Sequence, residues 1–422
     1  MFLFIILYLV LVLIRPQEYP ALVHAHLPLL PVVLIVAVLC WLGSRHKSFA
    51  APQYLLLPAF LLVMMLSEIV NGWAGGMLSE LVEFGPVMVA FFLLANATIS
   101  TSRVVLVMTV FVLCAMVLAV HGIEQVHTGV GWTGVPLIQD GRIQYVGIFN
   151  DPNDLGMLFV FALPMAVYLS SRGGWFGLGR LFWLTAAALL LYGIYLTDSR
   201  GALLAVALVV GVYLWRRRGM LTAVLLGSGG LAGMMLLPSR LQDLSPDEAS
   251  ASGRVDAWYE GFQMFKSHPL FGVGAGNFTD YNYLTAHNSF VLVLAETGFI
   301  GFTLWLGFVG YCFWMMLTIL RHKPKLADAQ AAATWGTERA IALTLLLSLS
   351  GCIATAFFLS RSYAIVLYLL AALVVAAYAN ARRQFPSLPE FNLGHDLPRL
   401  VSSAVVAVIM LYAVVRILLA YQ

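Results

Sequence analysis

The residues best suited to chemistry in this sequence are three arginines and one histidine. Arg142 precedes a run of turn-forming residues, Arg200 lies in a short hairpin between two apolar runs, and Arg254 opens an aromatic-rich helical pattern. His287 directly precedes a long apolar run. Guanidinium groups bind phosphate in a bidentate manner, and histidine accepts a proton near neutral pH. Together these residue types indicate chemistry on an anionic substrate.

Three neighbouring polar residues are secondary candidates. Gln144 is two positions from Arg142, so in an extended segment both side chains face the same way. Asp198 could pair with Arg200 in a purely structural ion pair, because a charge at the membrane edge needs a partner or a wet cavity. Asn288 follows His287 at the predicted helix start. The structural alternative for His287 itself is a helix cap.

Other kinds of site find little support. The carboxylates near the polar stretches are dispersed, no Asp-x-Asp occurs, and no His, Cys and carboxylate cluster has metal-ligand spacing. We therefore expect no metal and no cofactor. The four cysteines lie inside apolar runs and are interpreted as small buried hydrophobes. Glu68 and Glu83, within or beside predicted spans, keep a transporter alternative open.

The composition decides which elements position these residues. Of the 422 residues, 61% are hydrophobic and only 10% are charged, against about 25% charged in an ordinary soluble domain. This excludes a cytosolic enzyme, a disordered protein and a secreted disulfide scaffold. The sequence predicts a single all-α polytopic membrane domain over 1–422, with about twelve transmembrane helices of roughly 20 residues each.

The distribution of lysine and arginine predicts the orientation. Most of the 23 lysines and arginines fall in alternate short loops, which should be cytoplasmic. The two segments too polar to span, 122–154 and 238–288, then lie on the outer side. A C-terminal cytoplasmic segment, 382–422, contains an apolar stretch at 399–420. This stretch is either a thirteenth crossing or a helix along the membrane surface.

Within these segments the pattern predicts local features. Residues 150–154 form a turn into the next helix, with Asn153 or Asp154 as its N-cap. Residues 252–266 form an amphipathic helix whose aromatics lie in the membrane interface. Residues 268–278 form a compact glycine loop without the lysine of a P-loop. The run 289–320 is too long for one simple span and should break near 296–298.

In their order and spacing these motifs resemble the O-antigen ligase and polymerase superfamily of bacterial membrane proteins. The resemblance covers about 141–300, and within the superfamily the chain is most similar to the O-antigen ligases. It is carried by Gly147-Ile148-Phe149-Asn150-Asp151-Pro152-Asn153, Asp198-Ser199-Arg200-Gly201, Gly253-Arg254 with Trp258, His268-Pro269-Leu270-Phe271-Gly272-Val273-Gly274, His287-Asn288-Ser289, and Glu296-Thr297-Gly298.

The resemblance implies a C-type membrane glycosyltransferase of the bacterial inner membrane with a periplasmic active site. Its donor would be an undecaprenyl-diphosphate-linked O-antigen and its acceptor the lipid A–core oligosaccharide of lipopolysaccharide. Carried over by motif, Arg200 and Arg254 would bind the diphosphate and His287 would be catalytic. Arg142 and Gln144 are added to the donor site from charge and position.

Three alternatives remain beside the ligase. Two belong to the same superfamily, an O-antigen polymerase and a protein O-oligosaccharyltransferase. The third is a lipid-linked glycan transporter, or flippase, which would need charged groups along the depth of the membrane. The arginines instead gather at the outer side, which favours surface chemistry.

Overall fold

The computed structural model describes residues 1–45, 47–138, 141–172, 174, 177–235 and 249–420, without the side chains of 228–235 and 249–252. Within these ranges the regular structure is helical, apart from two isolated β-bridges in the segment 130–142. The helices are α1 (Phe2–Ile14), α2 (Leu29–Leu42), α3 (Gln53–Val70), α4 (Gly76–Ala97), α5 (Thr101–Thr128), α6 (Pro152–Ser170), α7 (Leu178–Leu196), α8 (Arg200–Arg218), α9 (Met220–Met235), α10 (Ala249–Ser267), α11 (Phe278–Tyr281), α12 (Ser289–Arg321), α13 (Ala329–Ala356), α14 (Ile365–Gln384) and α15 (Leu393–Ala420).

The lengths and apolar composition of these helices confirm an all-α polytopic membrane protein. Among the described residues, nine helices are long and apolar enough to span a membrane: α3 to α7 and α12 to α15. The remaining predicted spans correspond to α1, α2 and α9, with 13, 14 and 16 residues, and to α8, which ends in three arginines. The most buried spanning helices are α6 and α14.

The bundle has two chemically different ends. We call one end the outer end, after its predicted side of the membrane. Helices α6, α8, α12 and α14 begin there, and the predicted site residues lie there. The same helices terminate at the opposite end, where most of the basic residues lie, and we call this the basic end. Hydrogen bonds hold its loops together: Arg383 donates to the carbonyl of Ile99 (2.7 Å), and the Ser48 N–H donates to Asn96 (2.7 Å).

The predicted break in the long apolar run is confirmed at Gly298, whose φ of 64° and ψ of −166° interrupt α12. The glycine loop 268–277 packs into the break. Its Pro269 carbonyl accepts from the Phe299 N–H (2.8 Å), and its Val273 N–H donates to Ala295 (3.0 Å). A Cβ on Gly298 would lie 2.4 Å from the backbone of Leu270. Only glycine allows these two backbones to approach so closely.

Helix α10 differs from its sequence-based prediction. Trp258 and Phe262 are buried within the protein, and their rings contact Phe357 (5.6 Å between centroids) and Tyr412 (5.5 Å). The prediction that they lie in the membrane interface was therefore wrong. Helical periodicity marks an apolar face, but it does not tell whether lipid or other helices cover that face.

Helix α15 contacts α12 near its own start and α10 near its own end. Near its start, Asp396 accepts a hydrogen bond from Tyr311 in the last third of α12 (3.0 Å). Near its end, the ring centroid of Tyr412 lies 5.3 Å from the ammonium of Lys266, a residue of α10. Helix α10 in turn packs against the first turn of α12. Its path from the basic end to the outer end favours a thirteenth crossing over a surface helix.

Candidate functional site

His287 is the last residue but one before α12, and it has a strained backbone. Its φ of 47° lies in the left-handed region, which costs a non-glycine residue about 1–2 kcal/mol. The helix cap is its neighbour, Asn288, whose Oδ1 accepts from the N–H groups of Phe290 (2.9 Å) and Val291 (3.1 Å). The capping alternative for the imidazole therefore does not describe the structure.

A turn at 359–362 fixes the segment that carries His287. The hydroxyl of Ser289 donates to the Leu359 carbonyl (2.6 Å) and accepts from the Arg361 N–H (3.0 Å). The Ser362 hydroxyl donates in turn to the Ser289 carbonyl (2.8 Å). Three hydrogen bonds to one residue leave the backbone beside His287 little freedom.

Arg361 in this turn is a site residue that sequence reasoning missed. Its Nε and Nη2 donate to the two carboxylate oxygens of Asp154, at 2.6 and 2.5 Å. The Asp154 side chain is 2% exposed, whereas that of Arg361 is 41% exposed. The pair fastens the turn to α6 and leaves part of the guanidinium open. Arg361 follows the same pattern as Arg200, a charge in a short outer hairpin, and that signal could have identified it.

The start of α6 corrects the predicted cap. Asp151, not Asn153 or Asp154, is the N-cap, and its Oδ1 accepts from the backbone N–H of Asn153 (2.7 Å). Pro152 occupies the first helical position, where its missing N–H costs nothing. Asp154 is consequently available to hold Arg361.

Three charges act on the His287 imidazole. Burial lowers the pKa of His287 from its usual 6.5, and the positive charges of Arg254 and Arg361 lower it further, while Asp151 opposes them. A like charge disfavours the protonated imidazole, so these arginines keep it neutral. Arg254 and Arg361 both act electrostatically on His287.

Arg200 lies beside the same turn. It is the first residue of α8, behind the N-cap Ser199, whose hydroxyl accepts from the Ala202 N–H (3.3 Å). Asp198 before it has a φ of 45°, the second strained residue of the predicted motifs. A Cβ on Gly201 would lie 3.2 Å from Phe358. The lack of a side chain at Gly201 therefore lets the Arg200 hairpin approach the turn that carries Arg361.

The side chains of Arg142 and Gln144 hydrogen-bond to different parts of the protein. Arg142 donates through Nε to the Thr197 carbonyl (2.9 Å) and through Nη2 to Asn153 (3.1 Å), so it connects the first outer loop to the Arg200 hairpin. The Gln144 amide instead donates to Pro136 in its own loop (2.8 Å). Arg142 therefore lies next to the candidate site. The Gln144 side chain bonds within its own loop, and its backbone N–H donates to Gln125 of α5 (3.0 Å).

Two further acidic residues bear on the transporter alternative. Glu68 accepts from Asn277 in the glycine loop (3.2 Å), and Glu296 accepts from the Phe278 N–H (3.2 Å) and the Tyr363 hydroxyl (2.7 Å). Both carboxylates thus anchor loops at the outer end. Across the described ranges, no group of three or more His, Cys, Asp and Glu residues could hold a metal ion.

Comparison with known protein families gives a match for part of the chain. Residues 185–306 match the family model described as O-Antigen ligase. This match supports the O-antigen ligase/polymerase superfamily. The resemblance predicted from the motifs is thereby confirmed, and it indicates a glycosyltransferase-like membrane enzyme. A search of curated proteins gave no match.

The O-antigen ligase segment contains only part of the site. Arg200, Arg254 and His287 lie inside it, together with Asp198 and Asn288. The additional basic residues of the site, Arg142 and Arg361, come from outside it. The match implies a lipid-linked glycan and an acceptor as substrates in general terms.

Proposed function

We propose that this protein is an O-antigen ligase. It would transfer a polymerised glycan from undecaprenyl diphosphate to the lipid A–core at the periplasmic face of the inner membrane. The observation that carries the proposal is the position of His287. It lies within electrostatic reach of Arg254 and Arg361, at the outer end of the bundle. His287 also lies within the residues that match the ligase family.

In the proposed reaction His287 is the general base. The acceptor hydroxyl gives its proton to the imidazole while its oxygen forms a bond to the anomeric carbon of the donor. The bond between that carbon and the diphosphate oxygen breaks, and its electron pair leaves with the diphosphate. Attack from the side opposite the leaving group inverts the anomeric centre. A neutral imidazole is required, and the two nearby arginines favour that form.

The arginines are proposed to stabilise the negative charge that builds on the departing diphosphate. Arg200 and Arg254 are the main ligands, and Arg142 supports the hairpin that carries Arg200. Fixed cations in a poorly hydrated pocket need no reorganisation at the moment of reaction, which makes them effective without a metal ion. The exposed part of the Arg361 guanidinium is available to the same anion.

The substitutions Arg200→Ala and Arg254→Ala test the diphosphate assignment. Each should abolish transfer and weaken donor binding, and Arg200→Lys should rescue poorly because lysine lacks the bidentate fork. Arg217→Ala, at the opposite end of α8, is the matched control and should retain activity. Full activity in both outer-end variants would refute the assignment.

Deletion of the gene distinguishes the ligase from its relatives. A ligase mutant should accumulate long glycan on the lipid carrier and show bare lipid A–core. Core that carries a single repeat unit would identify a polymerase instead. Unchanged lipopolysaccharide would contradict both functions.

A further inference from the structure

A cavity of about 410 Å³ opens at the basic end, far from the candidate active site. It lies between α3, α4 and α14, under the loop that joins α2 to α3. Met315 of α12 lines it, 17 residues beyond the break at Gly298, which corresponds to roughly 25 Å at 1.5 Å per residue. A ligand in this cavity would not contact His287.

Positive side chains from two separate segments converge on the cavity. Arg45 and Lys47 come from the α2–α3 loop, and Arg382 and Arg383 come from the end of α14. Among the described lining residues, Glu390 is the one that is acidic. Attraction to a helix C-terminus accounts for two arginines in the last turn of α14. It does not account for two further basic residues on the same cavity from another loop.

The two arginines of α14 are held in place. Arg383 donates to the Ile99 carbonyl (2.7 Å) and to Asn380. Arg382 donates through Nε to the Leu388 carbonyl (3.2 Å) and pairs with the Glu390 carboxylate. Because 72% of the Glu390 side chain is exposed, it can move aside for an incoming anion. The carboxylate already bound shows that the guanidinium is accessible to an oxyanion.

The deeper wall of the cavity is apolar. Ala95, Val375 and Ala376 are each less than 10% exposed and line it, while Asn96 and the Tyr54 hydroxyl supply neutral polar groups. A basic mouth above an apolar wall fits an amphiphile with an anionic head. Basic pockets between membrane helices on the cytoplasmic side bind lipid head groups, and the volume is that of a small-ligand site.

We propose that this cavity binds a phosphate group, the head group of an anionic phospholipid, through Arg45, Lys47, Arg382 and Arg383, with the first carbons of the lipid against the apolar wall. The site is separate from the proposed transfer reaction and does not depend on it.

Native mass spectrometry of the full chain tests the proposal, with dioleoyl phosphatidylglycerol as the probe and dioleoyl phosphatidylcholine as the neutral comparison. The native protein should retain the anionic lipid preferentially. The double variant Arg45→Gln/Lys47→Gln should bind it about thirtyfold more weakly, since each basic residue near the bilayer surface contributes about a factor of five. Glu390→Gln should bind it about two- to fivefold more tightly, because the competing carboxylate is gone.

The matched control is Arg216→Gln/Arg218→Gln, which removes two charges at the same end but outside the cavity lining. Unchanged lipid retention in this control supports a defined site. Equal losses in both double variants would show that diffuse surface charge binds the lipid, and would overturn the proposal. Inorganic pyrophosphate is the second probe. If it binds with the same residue dependence and the lipid does not, the phosphate site stands and its source is soluble; binding of neither probe refutes the proposal.

Discussion

At the scale of single residues, His287 is held by its neighbours. Asn288 caps the helix and Ser289 binds the turn at 359–362. Neither of these structural roles requires the His287 imidazole. The sequence identified His287, Arg200 and Arg254 from their types and their place beside apolar runs. It did not identify Arg361, although this residue lies in a short hairpin as Arg200 does. Its partner Asp154, 207 residues away, is visible only in the structure. Contacts of that range are not encoded in local spacing.

The first prediction concerns the base. His287→Ala should lower transfer by about a hundred- to ten-thousand-fold, the usual contribution of a general base, while donor binding persists. His287→Asn should be equally inactive, because Asn288 already caps α12. Turnover is measured separately from donor affinity in folded protein. Near-native turnover of the asparagine variant would leave His287 a structural residue.

The pH dependence of transfer follows from the environment of His287. Burial and the charges of Arg254 and Arg361 lower its pKa below 6.5. Activity should therefore fall to half at a pH below 6.5, as the imidazole takes up a proton and can no longer accept one from the acceptor. The measurement is kcat/KM against pH. A midpoint above pH 6.5 would contradict a base in this environment.

The Asp154–Arg361 pair is expected to stabilise the outer end. Arg361→Met should destabilise the protein by about 2 kcal/mol, because it leaves the buried carboxylate of Asp154 without its cation. This is less than for a fully buried pair, since Arg361 is partly exposed. Thermal unfolding in detergent measures the loss. Asp154→Asn in the same chain should recover most of it, and strictly additive losses would show that the two residues do not interact.

At the scale of elements, the sequence predicted where helices begin and break more reliably than what covers them. The break at 296–298 was predictable, because glycine interrupts a run too long for one span. The partners of Trp258 and Phe262 were not, since an apolar helical face looks the same whether lipid or protein covers it. The N-cap of α6 was misplaced by two or three residues because Asn and Asp occur at four of the five positions of that turn.

The close packing at Gly298 gives a prediction for one element. Gly298→Ala should destabilise the protein by more than about 2 kcal/mol, because it combines a left-handed φ of 64° with a Cβ 2.4 Å from the Leu270 backbone. Gly310→Ala on the same helix is the control, since no atom lies within 4 Å of its Cβ. It should be neutral or stabilise by up to about 1 kcal/mol. Equal melting temperatures for the two variants would contradict the packing argument.

At the scale of the whole molecule, the bundle separates two kinds of positive charge. At the outer end, Arg254 and Arg361 act on a histidine. The arginines at the basic end converge on a cavity without a histidine among its described lining residues. Composition predicted a polytopic bundle, and the positions of lysine and arginine beside the spans predicted the side on which each group lies. It could not predict the cavity, which requires the α2–α3 loop and the end of α14 to meet across more than 300 residues of chain.

The path of α15 provides the last prediction. Its 28 residues extend about 42 Å, more than the roughly 30 Å of a bilayer core, and contact α12 near the basic end and α10 at the outer end. The end of α15 should therefore lie on the same side as His287. Single cysteines at Ser387→Cys, before α15, and at Ala420→Cys, at its end, test this in a chain whose half-buried Cys40 is replaced by serine. A membrane-impermeant maleimide added outside should label Ala420→Cys directly and Ser387→Cys only after permeabilisation. If both cysteines require permeabilisation, α15 lies along the surface at the basic end, and the chain crosses the membrane one time fewer.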